Sequence, residues 1–287
     1  MELELLNNIL DKLKQNRSVL TGPGDDCAVV KSGKDKLLLA VDQVTLGVHF
    51  TEDTAPELAG AKLVKRNLSD IAAMGGEPLW MLLTISNGDR ELEWVRRFIM
   101  GAEECCETYD VPIVGGDTAK LTNSGFSASI TVVGRADTPI LRSGANAGDK
   151  IYVTGKIGNS FKSKHHLTFV PHLDEGRYLA DFASAMMDIS DGLLLDAKRM
   201  AQASGKDFFI DPSAIPLRDG AALPDALSDG EDYGLLFTSS QDFINLFREK
   251  FPATPVTEIG HVSSGTGVVR NLSNDQPFDM KKLGYEH

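Results

Sequence analysis

Aspartates recur along this chain in one local setting, at the end of an apolar run or in a glycine turn, and any fold that gathers them must offset their repulsion. Asp25 and Asp26 follow Gly24, Asp42 follows Leu39-Ala40-Val41, and Asp117 follows Val114-Gly115-Gly116. Asp188 and Asp191 bracket Ile189-Ser190 ahead of Gly192, while Asp70 lies on a helical pattern in Asn67-Leu68-Ser69-Asp70. One such aspartate alone reads as a solvated turn or cap residue. Repetition argues for convergence on a cleft. Unit charges ~4 Å apart at an effective dielectric near 20 interact by about 4 kcal/mol, so converging carboxylates need cations. Oxygen ligands without His or Cys beside them suit Mg2+, which takes a few carboxylates plus substrate phosphates.

The element pattern is that of an α/β protein. Leu5, Leu6, Ile9, Leu10 and Leu13 predict an amphipathic N-terminal helix, and Leu37 to Val41 a buried strand ending at Asp42. Leu58, Ala61, Val64, Leu68 and Ile71 recur at helical spacing from Pro56 to about Met74, with Gly75-Gly76 as a stop. Trp80 to Ile85, Val111 to Val114 and Phe126 to Val133 read as strands, and residues 91–108 as a helix. The turn formers of residues 142–149 precede a new strand from Lys150 to Thr154 and mark a boundary. Beyond it the pattern predicts helices near 176–187 and 192–203, and strands at 207–210 and 233–238. A helix at 241–250 and a strand at 255–262 complete it. Two α/β domains, 1–141 and 142–287, fit this order better than one. Trp80 and Trp94 read as core or interface residues, and Cys105-Cys106 as a buried helix pair.

Several function classes drop out. The formal net charge is −12, carried evenly as −6 in each half, which argues against nonspecific nucleic-acid binding. Three cysteines with no C-x-x-C suit a reducing compartment and supply neither a disulfide framework nor a zinc site. No apolar run approaches the ~18 residues of a membrane span, and the N-terminus lacks the pattern of a signal peptide, so a cytoplasmic location is expected. The EF-hand pattern and the P-loop G-x-x-x-x-G-K-[ST] are absent from the sequence. Any nucleotide must be held through metals and through backbone N–H groups at the glycines.

The ordered motifs carry a resemblance. Gly24-Asp25-Asp26-Cys27-Ala28-Val29, Gly47-Val48-His49-Phe50, Asn67-Leu68-Ser69-Asp70-Ile71-Ala72-Ala73-Met74-Gly75 and Val114-Gly115-Gly116-Asp117-Thr118 come first. Ser190-Asp191-Gly192-Leu193, Gly230-Glu231-Asp232-Tyr233 and Gly284-Tyr285-Glu286-His287 follow. In this order, nearly end to end, they resemble thiamine-monophosphate kinases. The resemblance implies the two-domain fold of aminoimidazole-ribonucleotide synthetase and selenophosphate synthetase, a homodimer paired through N-terminal domains, and ATP with several Mg2+ ions between domains. It implies metal positions at Asp26, Asp42, Asp70, Asp117, Asp188 and Asp191. Gly116, Asp117, Arg142 and Ser190 match nucleotide contacts, and His49, Glu231 and Tyr285 match the thiamine-phosphate side.

The implied reaction moves the γ-phosphoryl of ATP to thiamine monophosphate, giving thiamine diphosphate and ADP, with no side chain acting as proton acceptor. Departures from the family pattern are Ala40-Val41 where hydroxyl residues commonly precede the strand-end aspartate, and a short stretch between Gly155 and Asp188 without a Pro-x-Pro-Arg element. Asp229 and Gly234 also stand where a glycine and a Glu are common. Competing readings are another ATP-using enzyme of the same fold, a metal-dependent phosphohydrolase, and a non-catalytic binding relative.

Overall fold

The computed structural model describes residues 16–279. The expected N-terminal helix and Tyr285 lie outside them. The first part of the chain forms β1 (Val19–Thr21), β2 (Ala28–Ser32), β3 (Asp35–Thr45), α1 (Pro56–Ala73), β4 (Glu77–Asn87), α2 (Leu92–Thr108), β5 (Ile113–Lys120) and β6 (Phe126–Arg135). Its strands make one six-stranded sheet in the order β1-β2-β3-β6-β4-β5. Only β4 and β5 run parallel in it, joined through α2, while the remaining neighbours pair antiparallel.

After a short helical turn at Arg142–Gly144 come β7 (Lys150–Thr154), α3 (His165–Thr168), α4 (Leu173–Leu179), β8 (Ala185–Asp188), α5 (Leu193–Ser204) and β9 (Lys206–Ile210). Then follow α6 (Leu223–Ser228), β10 (Leu235–Ser239), α7 (Ile244–Lys250), β11 (Val256–Ser264), β12 (Val269–Asn271) and β13 (Gln276–Pro277). These strands form a seven-stranded sheet in the order β13-β12-β9-β11-β7-β10-β8. Both sheets are mixed, since β12 runs parallel to β9.

Helix α1 joins the two halves. Pro56 sits at its first turn, where the missing N–H is no loss, and Glu57 complements the helix dipole there. It ends at Met74, and Gly75 takes φ +66°, the left-handed stop. One side of α1 packs on α2 and the inner face of the first sheet, and the other meets α3, α4 and β8. A single apolar cluster therefore runs from Leu63, Ile71 and Phe98 through to Met186, Phe237 and Phe247. The α1–α2 crossing is close: a Cβ added at Gly101 would lie 2.2 Å from the Glu57 carbonyl oxygen. Gly101→Ala is expected to push the helices apart and cost about 1–3 kcal/mol, read as a lower denaturant midpoint at unchanged slope.

Three expectations are corrected. The strand from Leu37 does not end at Asp42 but runs on to Thr45, and its face is only half covered, Val41 being 64 % exposed. Asp117 lies inside β5 rather than after a strand, because β4 supplies a parallel partner as far as Lys120. Residues 176–187 do not make one helix. They divide into α4 and the strand Ala185-Met186-Met187-Asp188, every residue of which is buried beside β10, a short apolar run that periodicity cannot tell from a helix.

On the outward face of the first sheet Val41, Trp80, Leu82 and Val114 are exposed. Trp94 instead packs in an aromatic cluster with Phe50, Phe98 and Phe126. Cys27, Cys105 and Cys106 are free and buried. Among the described residues no helix is long and apolar enough to cross a membrane.

Candidate active site

Three carboxylates converge where the two sheets meet at α1. Asp26 comes from the turn before β2, Asp70 from α1 and Asp188 from the end of β8, and each brings an oxygen within 4.8 Å of the others. Ser69 donates to Asp188 Oδ2 at 2.6 Å, and Arg142 Nη2 donates to Asp26 Oδ1 at 2.5 Å. Asp26 Oδ2 is buried and makes no hydrogen bond among the described residues. Burial pushes the Asp70 and Asp188 carboxyls well above the usual range, and the neighbouring aspartates push them further. An orphaned oxygen among crowded carboxylates is the donor set of a hard divalent cation, and these residues fit Mg2+.

Asp42 stands beside this group, its Oδ2 accepting from Arg66 Nε at 3.0 Å. Arg66 lies one helical turn before Asp70 on α1, and Lys62 one turn earlier again, so three charges share one helix face. Lys62 Nζ donates to both Glu231 oxygens at 2.8 and 2.7 Å and to the His49 carbonyl at 2.5 Å, and it lies 2.9 Å from His166 Nδ1. Burial lowers the Lys62 amine to about 8 in spite of Glu231. Burial also works against the Glu231 charge, but His166, Lys62 and Arg66 more than offset it and leave that carboxyl at about 2. Both values fall, with opposite effect on charge: burial favours the neutral amine of the wholly enclosed Lys62, whereas Glu231, 18 % exposed, keeps its charge beside the Lys62 and Arg66 cations.

Beside these groups opens a cavity of about 350 Å3 whose walls include His49, Arg66, Ser190, Asp191, Glu231 and Tyr233. The loop carrying Glu231 is strained, since Glu231 takes φ +65° and Tyr233 φ +53°, a region that non-glycine residues rarely occupy. The Tyr233 ring stacks on Phe169 at 4.0 Å, and its buried hydroxyl makes no hydrogen bond among the described residues. Asp191 Oδ2 pairs with Arg199 Nη1 at 2.5 Å, and Arg199 also reaches Asp196.

The family model for the AIR synthase related protein, N-terminal domain, matches residues 24–136. A thiamine-monophosphate kinase of Aquifex aeolicus (strain VF5) is 34 % identical, over 90 % of this chain and 92 % of that one. The chain belongs to the thiamine-monophosphate kinase family. The family's Salmonella typhimurium member is 32 % identical over all of this chain and 98 % of its own. Among solved structures, AaThiL complexed with AMPPCP and TMP superposes with a TM-score of 0.86 at 31 % identity, covering 99 % of this chain and 97 % of that one.

Of the positions that match family motifs, the structure brings Asp26, Asp70 and Asp188 together, with Arg142 on Asp26 and Asp42 one ion pair away. His49, Ser190, Asp191 and Glu231 meet at the cavity. Gly116 and Asp117 belong to neither group; they lie on the edge strand β5, with Asp117 in register with Thr84 of β4 and, across β4, with Ser129 of β6. Sequence reasoning missed Lys62, Arg66, His166 and Arg199. The available signal for the first two was charge repeating every four residues on a helix whose neighbouring positions are apolar.

Proposed function

We propose that this protein transfers the γ-phosphoryl group of ATP to the phosphate of thiamine monophosphate, giving thiamine diphosphate and ADP. The observation that supports it most is the cavity holding His49 and Glu231 against a cluster of three aspartates drawn from both halves of the chain. Asp26, Asp70 and Asp188 hold Mg2+ in this reading, with Asp42, Asp117 and Asp191 completing the set. Bound there, Mg2+ neutralises phosphate oxygens and so offsets the repulsion between donor and acceptor. The acceptor is already anionic, so no side chain has to remove a proton. Arg142 steadies nucleotide phosphates with its planar fork, assisted by the backbone at Gly116 and by Ser190. Glu231 faces the cationic side of the thiamine moiety, with His49 and Tyr285 on the same substrate.

Incubation with ATP, Mg2+ and thiamine monophosphate, followed by chromatography of the products, tests this. Thiamine diphosphate is the expected product; inorganic phosphate alone would favour a phosphohydrolase, and no turnover a binding protein. Asp117→Asn is expected to abolish turnover at an unchanged unfolding midpoint, and wild-type activity in that variant would remove Asp117 from the set.

We further propose a division into domains 1–141 and 142–287, a cytoplasmic location, and a homodimer formed through the outward face of the first sheet. Val41, Trp80 and Leu82 leave an apolar patch there of the kind that marks an interface. Leu82→Glu is expected to shift the protein from dimer to monomer in light scattering after size exclusion. A monomeric wild type would refute the dimer.

A further inference from the structure

Arg66 is a charged side chain placed where neither of its neighbours uses it fully. Its side chain is 9 % exposed, it lines the cavity, and it lies between Asp42 and Glu231. Nε is committed to Asp42. Nη1 is buried and makes no hydrogen bond among the described residues; the Glu231 carboxylate is 3.8 Å from it, beyond hydrogen-bonding range. Glu231 is already held by Lys62 at 2.7 Å and faces His166 at 3.3 Å, and Arg66 acts on its charge through space without a hydrogen bond.

A buried N–H donor without an acceptor costs free energy, and proteins keep one where a ligand is to meet it. Burial works against the guanidinium charge, but Asp42 and its neighbours more than offset it, so the group stays cationic. Its position decides the ligand class. It stands at the junction of the aspartate cluster and the cavity, where a phosphate attached to a molecule lying in the cavity would have to enter.

We infer that Arg66 is a substrate-binding residue that takes the phosphate of the acceptor through Nη1, while its Nε stays on Asp42. This rests on the substrate reading above and deepens it. A guanidinium presents its donors in a fixed plane that matches phosphate oxygens, which a lysine in the same place would not.

The test is calorimetric titration of the full chain, with Mg2+ and without ATP, using thiamine monophosphate and thiamine as separate probes. In Arg66→Met the dissociation constant for thiamine monophosphate is expected to rise about 10- to 100-fold, as for loss of a hydrogen bond to a charged group, with thiamine unaffected. Arg66→Lys, which keeps the charge and loses the fork, is expected to fall between. Equal weakening of both probes would mean a structural role and overturn the inference, as would undiminished binding of thiamine monophosphate. Should Arg66→Met fail to fold by circular dichroism, Arg66→Lys decides, and wild-type affinity in it overturns the inference. Wild-type protein that binds neither probe would remove the substrate reading, and this assignment with it. Binding of both that is indifferent to residue 66 would remove the assignment alone.

Discussion

Asp70→Asn is expected to abolish phosphoryl transfer and, in the same protein stripped of metal with EDTA, to raise the thermal unfolding midpoint. The two effects have one cause. Asp70 lies within 4.8 Å of Asp26 and Asp188, and its carboxyl is pushed well above the usual range by burial first, and then by Asp42, Asp188 and Asp26. Without a cation, ionised Asp70 is a cost to the fold. The sign follows from linkage: a carboxyl raised in the folded state binds its proton there before it does in the unfolded chain. Metal-free stability therefore rises as pH falls from the raised value toward the ordinary carboxylate range, and is lowest above it. An amide removes the charge and with it this dependence, a gain of about 1–3 kcal/mol at neutral pH.

Activity moves the other way, because several kcal/mol of charge stabilisation on the transferred group correspond to about a thousandfold in rate. Mg2+ should raise the wild-type midpoint by mass action and leave that of Asp70→Asn nearly unmoved. Retained turnover, or a midpoint lowered in EDTA, would count against a cation site at this aspartate.

Glu231→Ala is expected to be costly in both respects. It removes the carboxylate that two part-buried hydrogen bonds tie to Lys62, a side chain with no exposed surface, and leaves that amine without its counter-charge. Breaking a buried pair from one side typically destabilises by about 3–5 kcal/mol. The pH dependence identifies the group responsible. Glu231 at about 2 against an ordinary value of 4.5 contributes stability that is complete above about pH 4.5 and is lost as pH falls toward 2, roughly 3 kcal/mol in all. Urea unfolding of the wild type should weaken across that interval, and the variant should lack this limb. The Michaelis constant for thiamine monophosphate is expected to rise about a hundredfold, since the carboxylate proposed to face the cationic ring is gone. An unchanged acid limb in the variant would mean that other carboxylates carry it.

Much of the fold was legible because its elements obey simple periods. Phe126 to Gly134 alternates buried and half-buried without interruption, and α1 and α2 keep their apolar stripes. Ala185 to Asp188 was misread because four buried residues have no period to display. At the site, the aspartates showed themselves by their glycine and strand-end settings. Lys62 and Arg66 did not, since charged residues on a helix ordinarily face water, and only the arrival of α3, α4 and β8 over that face buries them. The partners of Lys62, Glu231 and His166, are 169 and 104 residues away, separations across which sequence pattern has no reach.

The face of α1 that carries Lys62, Arg66 and Asp70 acts as a ruler. A helix rises 1.5 Å per residue, so the eight residues from the amine beneath the cavity to the carboxylate of the cluster span about 12 Å, with the guanidinium at the midpoint. That spacing is set by hydrogen-bonded backbone and survives any shift of the second sheet, which moves Asp188 and Glu231 past fixed marks. A one-residue insertion between Lys62 and Asp70 would turn part of this scale by about 100° and misalign both ends of the site together. The helix should therefore tolerate exchanges of apolar side chains far better than any change in its length.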